Sequence, residues 1–373
     1  MSLITTLTGA LGVFLLAILL WDAYETILLP RRLPGDIRVS RLVLRSIWRV
    51  WRRLSRGIRA RNDRELFLSF YAQLSLLGLF SVWAAGLILG FALLHWAVGS
   101  HLAAPSGVAG FGKDLYMSGT TFFTLGLGDV VPMTQFARVL TVLEAGIGFG
   151  FLALVIAYVP VLYQFFSRRE ARITMLDQWA GSPPAAGLIL KRAFESGNPG
   201  GELDRLFRDW ELTAAEILES HLSYPTLAFF RSQHDNQSWL ASLCAILDAS
   251  ALAGAWVKGV DPFQARLTFA ICRHTLVDVS QVFRLKPRDE GSAGGETERI
   301  AGLRAWLEAA GLPLEQGPEA DARFRDLRRL YTPYLTALSD YLLMPLPNWL
   351  PPEKARYNWR TSASSPSIHD GAH

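Results

Sequence analysis

Thr124-Leu125-Gly126-Leu127-Gly128-Asp129 decides how the rest of this 373-residue chain is read. In an ordinary strand, successive carbonyl groups point to opposite sides. Glycine reaches the left-handed backbone region without a Cβ penalty, and Gly126 and Gly128 hold alternate positions. Alternating left- and right-handed residues turn successive carbonyls to one side and make a column of oxygens. Thr124 can add a hydroxyl oxygen at one end of that column, and Asp129 a negative charge at the other. Standing alone, the segment would read as a Gly-rich turn. It lies instead between an amphipathic run, 114–123, too short to cross a bilayer, and a long apolar run, 139–166.

Thr-x-Gly-x-Gly-Asp in that setting resembles the selectivity filter of the tetrameric potassium channels, over roughly residues 64–168. The resemblance implies that the carbonyls of Thr124, Leu125, Gly126, Leu127 and Gly128 replace the hydration shell of K+. It implies that Asp129 stands at the outer mouth and that 114–123 is a re-entrant pore helix. One filter per chain implies a homotetramer around a central axis. Leu125 stands where the family has Val, and Leu127 where it has Tyr. Leu127 removes a phenol hydroxyl that would brace the filter, so a weakly selective monovalent cation channel is the alternative to a potassium-selective one. No cofactor is implied beyond K+ as the permeant ion, and no other metal site.

The composition fits a membrane half joined to a polar half. Residues 1–169 carry 16 Lys and Arg against 8 Asp and Glu, and residues 170–373 carry 21 against 25. A basic excess confined to the apolar half reads as topology and lipid contact, not nucleic-acid binding. Within the N-terminal segment, 1–30, residues 3–20 are long enough to span. They have no basic start or small-residue cleavage site, so they read as a retained helix. Asp22 and Glu25 near its end are expected to pair with Arg31, Arg32 or the next segment, with a gating contact as the alternative.

Residues 31–64 contain twelve Arg and no Lys. Leu44, Ile47, Trp48, Trp51, Leu54 and Ile58 follow helical spacing, and Asp36 can cap the helix. This predicts a basic amphipathic helix along the cytoplasmic leaflet, with Arg45, Arg49, Arg52 and Arg56 as candidate contacts to anionic lipid. The N-terminus is then outside and the C-terminal domain cytoplasmic, in a multi-pass protein of the plasma membrane.

The pore domain, 65–169, divides into a spanning helix (66–98), an outer loop (99–112), the pore helix (114–123), the filter (124–129) and an inner helix (135–169). Gly146, Gly148 and Gly150 lack the preceding strand of a dinucleotide motif. In a helix they permit close packing or bending, so with Pro160 they form the candidate gating hinge. Glu144 is expected to pair within the pore domain, with Arg138.

Residues 170–352 show apolar residues at helical spacing near 202–220, 236–257, 262–284, 297–310 and 319–343, divided by Pro- and Gly-rich breaks. Strands alternating with helices are not evident, so a nucleotide-binding regulatory domain is not expected. His274 and Asp278 with Cys272 nearby, and His234-Asp235 at a helix start, do not complete a tetrahedral metal set. No nucleophile, base and orienting group line up, so no enzyme is expected. Residues 353–373 read as a disordered tail. The fold class expected is an all-α membrane protein: three transmembrane helices with a re-entrant pore helix and filter loop, then a helical cytoplasmic domain. The function expected is passive potassium conduction, with an unknown regulator of the helical domain. A membrane-anchored signalling or scaffold protein with a vestigial pore is the rival.

Overall fold

The computed structural model describes residues 3–27, 38–103, 110–234, 236–288 and 295–352. The expected cap Asp36, the pairing candidates Arg31 and Arg32, and the tail lie outside these. The architecture is all-α, and the chain divides into two compact units, Met1–Tyr163 and Gln164–His373.

In the first unit, α1 (Leu3–Ile27) is an uninterrupted apolar helix that packs along α4 (Tyr71–Ala97). Small residues allow the approach: a Cβ on Gly12 would lie 2.9 Å from the Gly90 carbonyl oxygen, and one on Gly90 would lie 2.8 Å from Leu16. Close backbone approach is how apolar helices associate when hydrophobic burial gives no net drive. Asp22, buried at the far end of α1, is satisfied from two directions. The Ser40 N–H and hydroxyl donate to it at 2.8 and 3.0 Å, and the Trp83 indole N–H donates at 2.8 Å. Ser40 lies in the first turn of α2 (Val39–Ser55), so Asp22 serves as that helix's cap from another element. Glu25 pairs with Arg38 at 3.2 Å. The next segment is thus the partner of both acids.

The basic segment is not one helix to residue 58. It ends at Ser55, turns at Gly57 and restarts as α3 (Arg61–Ser69), which leads into α4. The apolar face of α2 is also partly taken by protein. Trp48 is buried against Tyr71 with ring centroids 4.7 Å apart, the Tyr71 hydroxyl donates to the Leu44 carbonyl (3.0 Å), and the Trp51 indole donates to the Phe67 carbonyl (3.0 Å). Of the four candidate lipid contacts, Arg49 and Arg56 are exposed, while Arg45 and Arg52 are half-buried.

A two-residue antiparallel ladder, β1 (Leu102–Ala103) with β2 (Val131–Pro132), closes a loop expected to have no strand. Between its strands lie α5 (Phe111–Phe122) and residues 123–130. Next comes α6 (Gln135–Ala180), 46 residues long and continuous through Pro160. It runs past the expected end at residue 169.

The second unit is a helical bundle around α9 (Trp239–Trp256). The surrounding helices are α7 (Ala186–Glu195), α8 (Pro199–Ser223), α10 (Pro262–Val282), α11 (Glu296–Ala309), α12 (Pro318–Arg329) and α13 (Thr332–Leu342). α7 was not anticipated as a separate helix. The run 319–343 divides at Tyr331, just before Pro333, a residue tolerated in a first turn but not mid-helix. His234 does not start a helix: α9 begins at Trp239, where the Ser238 hydroxyl accepts from Ala241 N–H. Asp235 lies outside the described residues. Asp248 on α9 is buried and accepts from Tyr331, with Cys244 Sγ at 3.4 Å and Arg328 Nε at 3.5 Å. Unpaired, that carboxylate would be costly in an apolar core.

Candidate functional site

The site is built from the C-terminal end of α5 outward. Thr120 and Thr121, in its last turn, leave carbonyls that a helix cannot satisfy internally. The following segment satisfies them: Thr124 N–H donates to the Thr121 carbonyl (2.9 Å) and Leu125 N–H to that of Thr120 (2.8 Å). The helix end and the Gly-containing segment are thereby one hydrogen-bonded piece.

The backbone of that segment alternates. Thr124, Gly126 and Gly128 have φ of +56°, +56° and +78°, while Leu125 and Leu127 between them do not enter the left-handed region. This is the alternation a column of carbonyls requires. It goes one residue further than the glycines revealed. Thr124 is β-branched, and a positive φ there is a true outlier of the kind found at functional sites. A Cβ at Gly126 or Gly128 would meet nothing within 4 Å, so conformation and not space demands glycine.

The far end of the segment is held by side chains. Tyr116 on α5 donates its hydroxyl to Asp129 Oδ2 at 2.9 Å, and Val130 N–H donates to Asp129 Oδ1 at 3.1 Å. Leu102, Met117 and Val130 form a buried cluster under the β1–β2 ladder, which fixes the exit of the chain. Leu125 and Leu127 are exposed within the single chain.

The hinge candidates divide. A Cβ on Gly148 would lie 2.1 Å from the Phe122 carbonyl oxygen, so Gly148 lets α6 touch the end of α5. Gly146 and Gly150 have open space around a Cβ. Gly148 is a packing position, and Gly146, Gly150 and Pro160 keep the hinge role as an expectation. Glu144 does not meet Arg138, whose guanidinium donates to the Pro132 carbonyl at 3.3 Å. Its nearest ionisable neighbour is His95 Nε2 on α4, at 3.8 Å, with both side chains fully buried. A partner 49 residues away leaves no periodic trace in sequence.

In the second unit, the continuation of α6 enters the bundle through Arg169. Its buried guanidinium donates to the carbonyls of Leu227 (2.9 Å) and Phe230 (2.8 Å) and lies 3.3 Å from His221 Nε2. Burial and the adjacent Arg169 cation hold the His221 imidazole well below its ordinary range, so it is neutral. A cavity of about 290 Å³ opens beside it, lined by Phe165, Arg168, Arg169, Glu216 and Ser220 among others. His274 pairs with Asp278 at 3.4 Å on an exposed face. Cys272 is buried, which pushes its thiol pKa up. Among the described residues, no group of three or more His, Cys, Asp or Glu is placed to hold a metal ion.

No curated protein and no solved structure matches the chain. A family model described as ion channel matches residues 82–164, which run from within α4, through α5 and the alternating segment, to within α6. The membrane unit of this all-α protein thus carries, around Thr124 to Asp129, a segment similar to an ion channel.

Proposed function

We propose that four copies of this chain surround a central axis and conduct potassium passively across the plasma membrane. The observation that carries the reading is the alternation of φ at Thr124, Gly126 and Gly128, directly after a short helix that ends between two long apolar ones. One chain contributes one column of carbonyls, and dehydrating an ion requires oxygens on several sides, hence the tetramer. Asp129, held by Tyr116, supplies the negative charge that concentrates cations at the outer mouth. The twelve Arg of residues 31–64 support a topology with that segment inside and the N-terminus outside, because basic residues are retained on the cytoplasmic side. Because α6 is unbroken to Ala180, a rearrangement of the bundle that grips Arg169 would pull on the inner helix and change the open probability.

The test is ion flux from the purified full chain in liposomes under opposed potassium and sodium gradients. A reversal potential close to that of potassium is the expected result. One close to zero would make the protein a weakly selective cation channel. The absence of any flux, with the protein correctly inserted, would leave a membrane-anchored scaffold.

A further inference from the structure

α4, α5 and α6 bring four polar side chains together inside the membrane unit: His95, Asp114, Ser118 and Glu144, every one with no exposed surface. Asp114 is accounted for in part. Its Oδ2 accepts from the Ser100 hydroxyl at 2.7 Å, and the charge of Lys113 acts on it. Lys113 itself donates to the Ser100 carbonyl at 3.2 Å. The other three are not: both ring nitrogens of His95, the Ser118 hydroxyl and both oxygens of Glu144 have no partner in good hydrogen-bond geometry, although His95 and Ser118 lie near enough to the Glu144 carboxyl to act on it. His95 Nε2 stands 3.8 Å from Glu144 Oε2, Ser118 bears on the same carboxyl, and His95 also acts on Asp114 electrostatically.

Buried polar groups in native proteins are nearly always satisfied, and unpaired charge is most costly where water is scarce. The His95–Glu144 pair is neutral as a whole only when it holds one proton beyond a bare carboxylate and a neutral imidazole. With none, a carboxylate is left uncompensated. With two, an imidazolium is left beside a neutral acid. Either extreme puts a net charge between α4 and α6, against the flank of α5. The C-terminus of α5 is hydrogen-bonded into the filter segment through Thr120 and Thr121, and its Tyr116 holds Asp129, so displacing α5 displaces the carbonyl column.

We propose that His95 and Glu144, with Ser118, form a one-proton brace that seats α5 and thereby sets how well the filter distinguishes potassium from sodium. They are positioning residues, remote from the ion in role. The inference rests on the channel reading and adds to it a determinant of specificity outside the filter. Among the described residues, the ionisable groups facing the brace are Asp114 and Lys113 from α5; the first is partnered by Ser100 and the second by its carbonyl.

The experiment measures the potassium-to-sodium permeability ratio of the full chain in liposomes from about pH 5.5 to about pH 8.5. The wild-type ratio is expected to peak at intermediate pH and fall towards both ends. His95→Ala and Glu144→Ala should each lower it about tenfold, the cost of leaving one buried partner unsatisfied. The double variant should be no worse than the worse single, because one interaction is lost once. Glu144→Gln and His95→Gln keep a neutral hydrogen-bonding group, so they should retain most of the ratio while flattening its pH profile. They also carry the test if the Ala variants do not insert. Additive losses, unaltered ratios, or a Glu144→Gln profile as steep as the wild type would overturn the brace while the channel stands. A wild-type chain that conducts nothing would overturn the channel reading, and the brace with it.

Discussion

α6 and α9 are both long and apolar enough to cross a bilayer, with mean hydropathy of 2.3 and 1.4 in their richest 18-residue windows. Their surroundings differ. In α9, 94% of that window is buried inside the protein, against 17% in α6. Each must remove apolar side chains from water, and there are two apolar media available, other helices and lipid. α9 uses the first: Trp239, Leu243, Leu247 and Trp256 are fully covered. α6 leaves Val142, Phe149 and Ile156 bare in the single chain, a surface for lipid or for further copies. The lesson is that apolarity states a need and neighbours decide how it is met.

Truncating a side chain in each helix tests this difference most directly. Leu247→Ala opens a cavity in a packed core and should destabilise the helical bundle by about 2–5 kcal/mol, whereas Val142→Ala, 71% exposed, should cost less than about 1 kcal/mol. Denaturant unfolding of the full chain, followed separately in the two units, measures both. Equal costs would show that the two helices are buried alike.

Gly148→Ala sharpens the contrast within α6. Its Cβ would enter the Phe122 carbonyl, so the helices must part at about 1–3 kcal/mol, and flux should fall. Gly146→Ala, with open space, should leave packing intact. If both variants conduct alike, α6 does not seat against α5.

Gly126→Ala places a Cβ at φ +56°, costing about 1–2 kcal/mol per chain, and should abolish selectivity without altering the unfolding of the bundle. Selectivity equal to wild type would show that the alternating backbone is not the filter.

The bundle should respond to acid through His221. Its folded-state pKa is depressed by burial and by Arg169, so the unfolded chain binds the proton more readily. Stability is full above about pH 6.5 and falls as pH drops below it, by up to about 1.4 kcal/mol per pH unit. His221→Gln should remove that slope. A bundle equally stable at pH 7 and pH 5 would place His221 in water.

The smallest effect is expected at the basic segment. Arg49→Gln with Arg56→Gln should weaken the preference of the reconstituted chain for anionic over neutral lipid by about 1 kcal/mol per residue at low salt. The half-buried Arg45 should contribute less, and equal losses at all three would mean that α2 lies differently from its packing on Tyr71.

Much of this was written locally. Gly126 and Gly128 announced an alternating backbone because a left-handed residue without glycine is strained, and the long apolar runs announced their helices because length and hydropathy are sums over neighbours in sequence. The left-handed Thr124 had no such marker, since nothing in its side chain favours that conformation. The partners of Asp22, Glu144, Arg169 and Asp248 were illegible too. Apart from Glu170 beside Arg169 and Cys244 one turn from Asp248, those named come from residues 18 to 83 positions away, and a buried charge is satisfied by whichever group the packing delivers, which no periodicity records. The sequence alone determined where the backbone must be glycine, which segments avoid water, and which part carries the basic charge. Tertiary structure alone decided which apolar helix is covered by protein, which glycine is a contact and which is free, and which acid meets which base, because each depends on a distance between segments that the chain order leaves open.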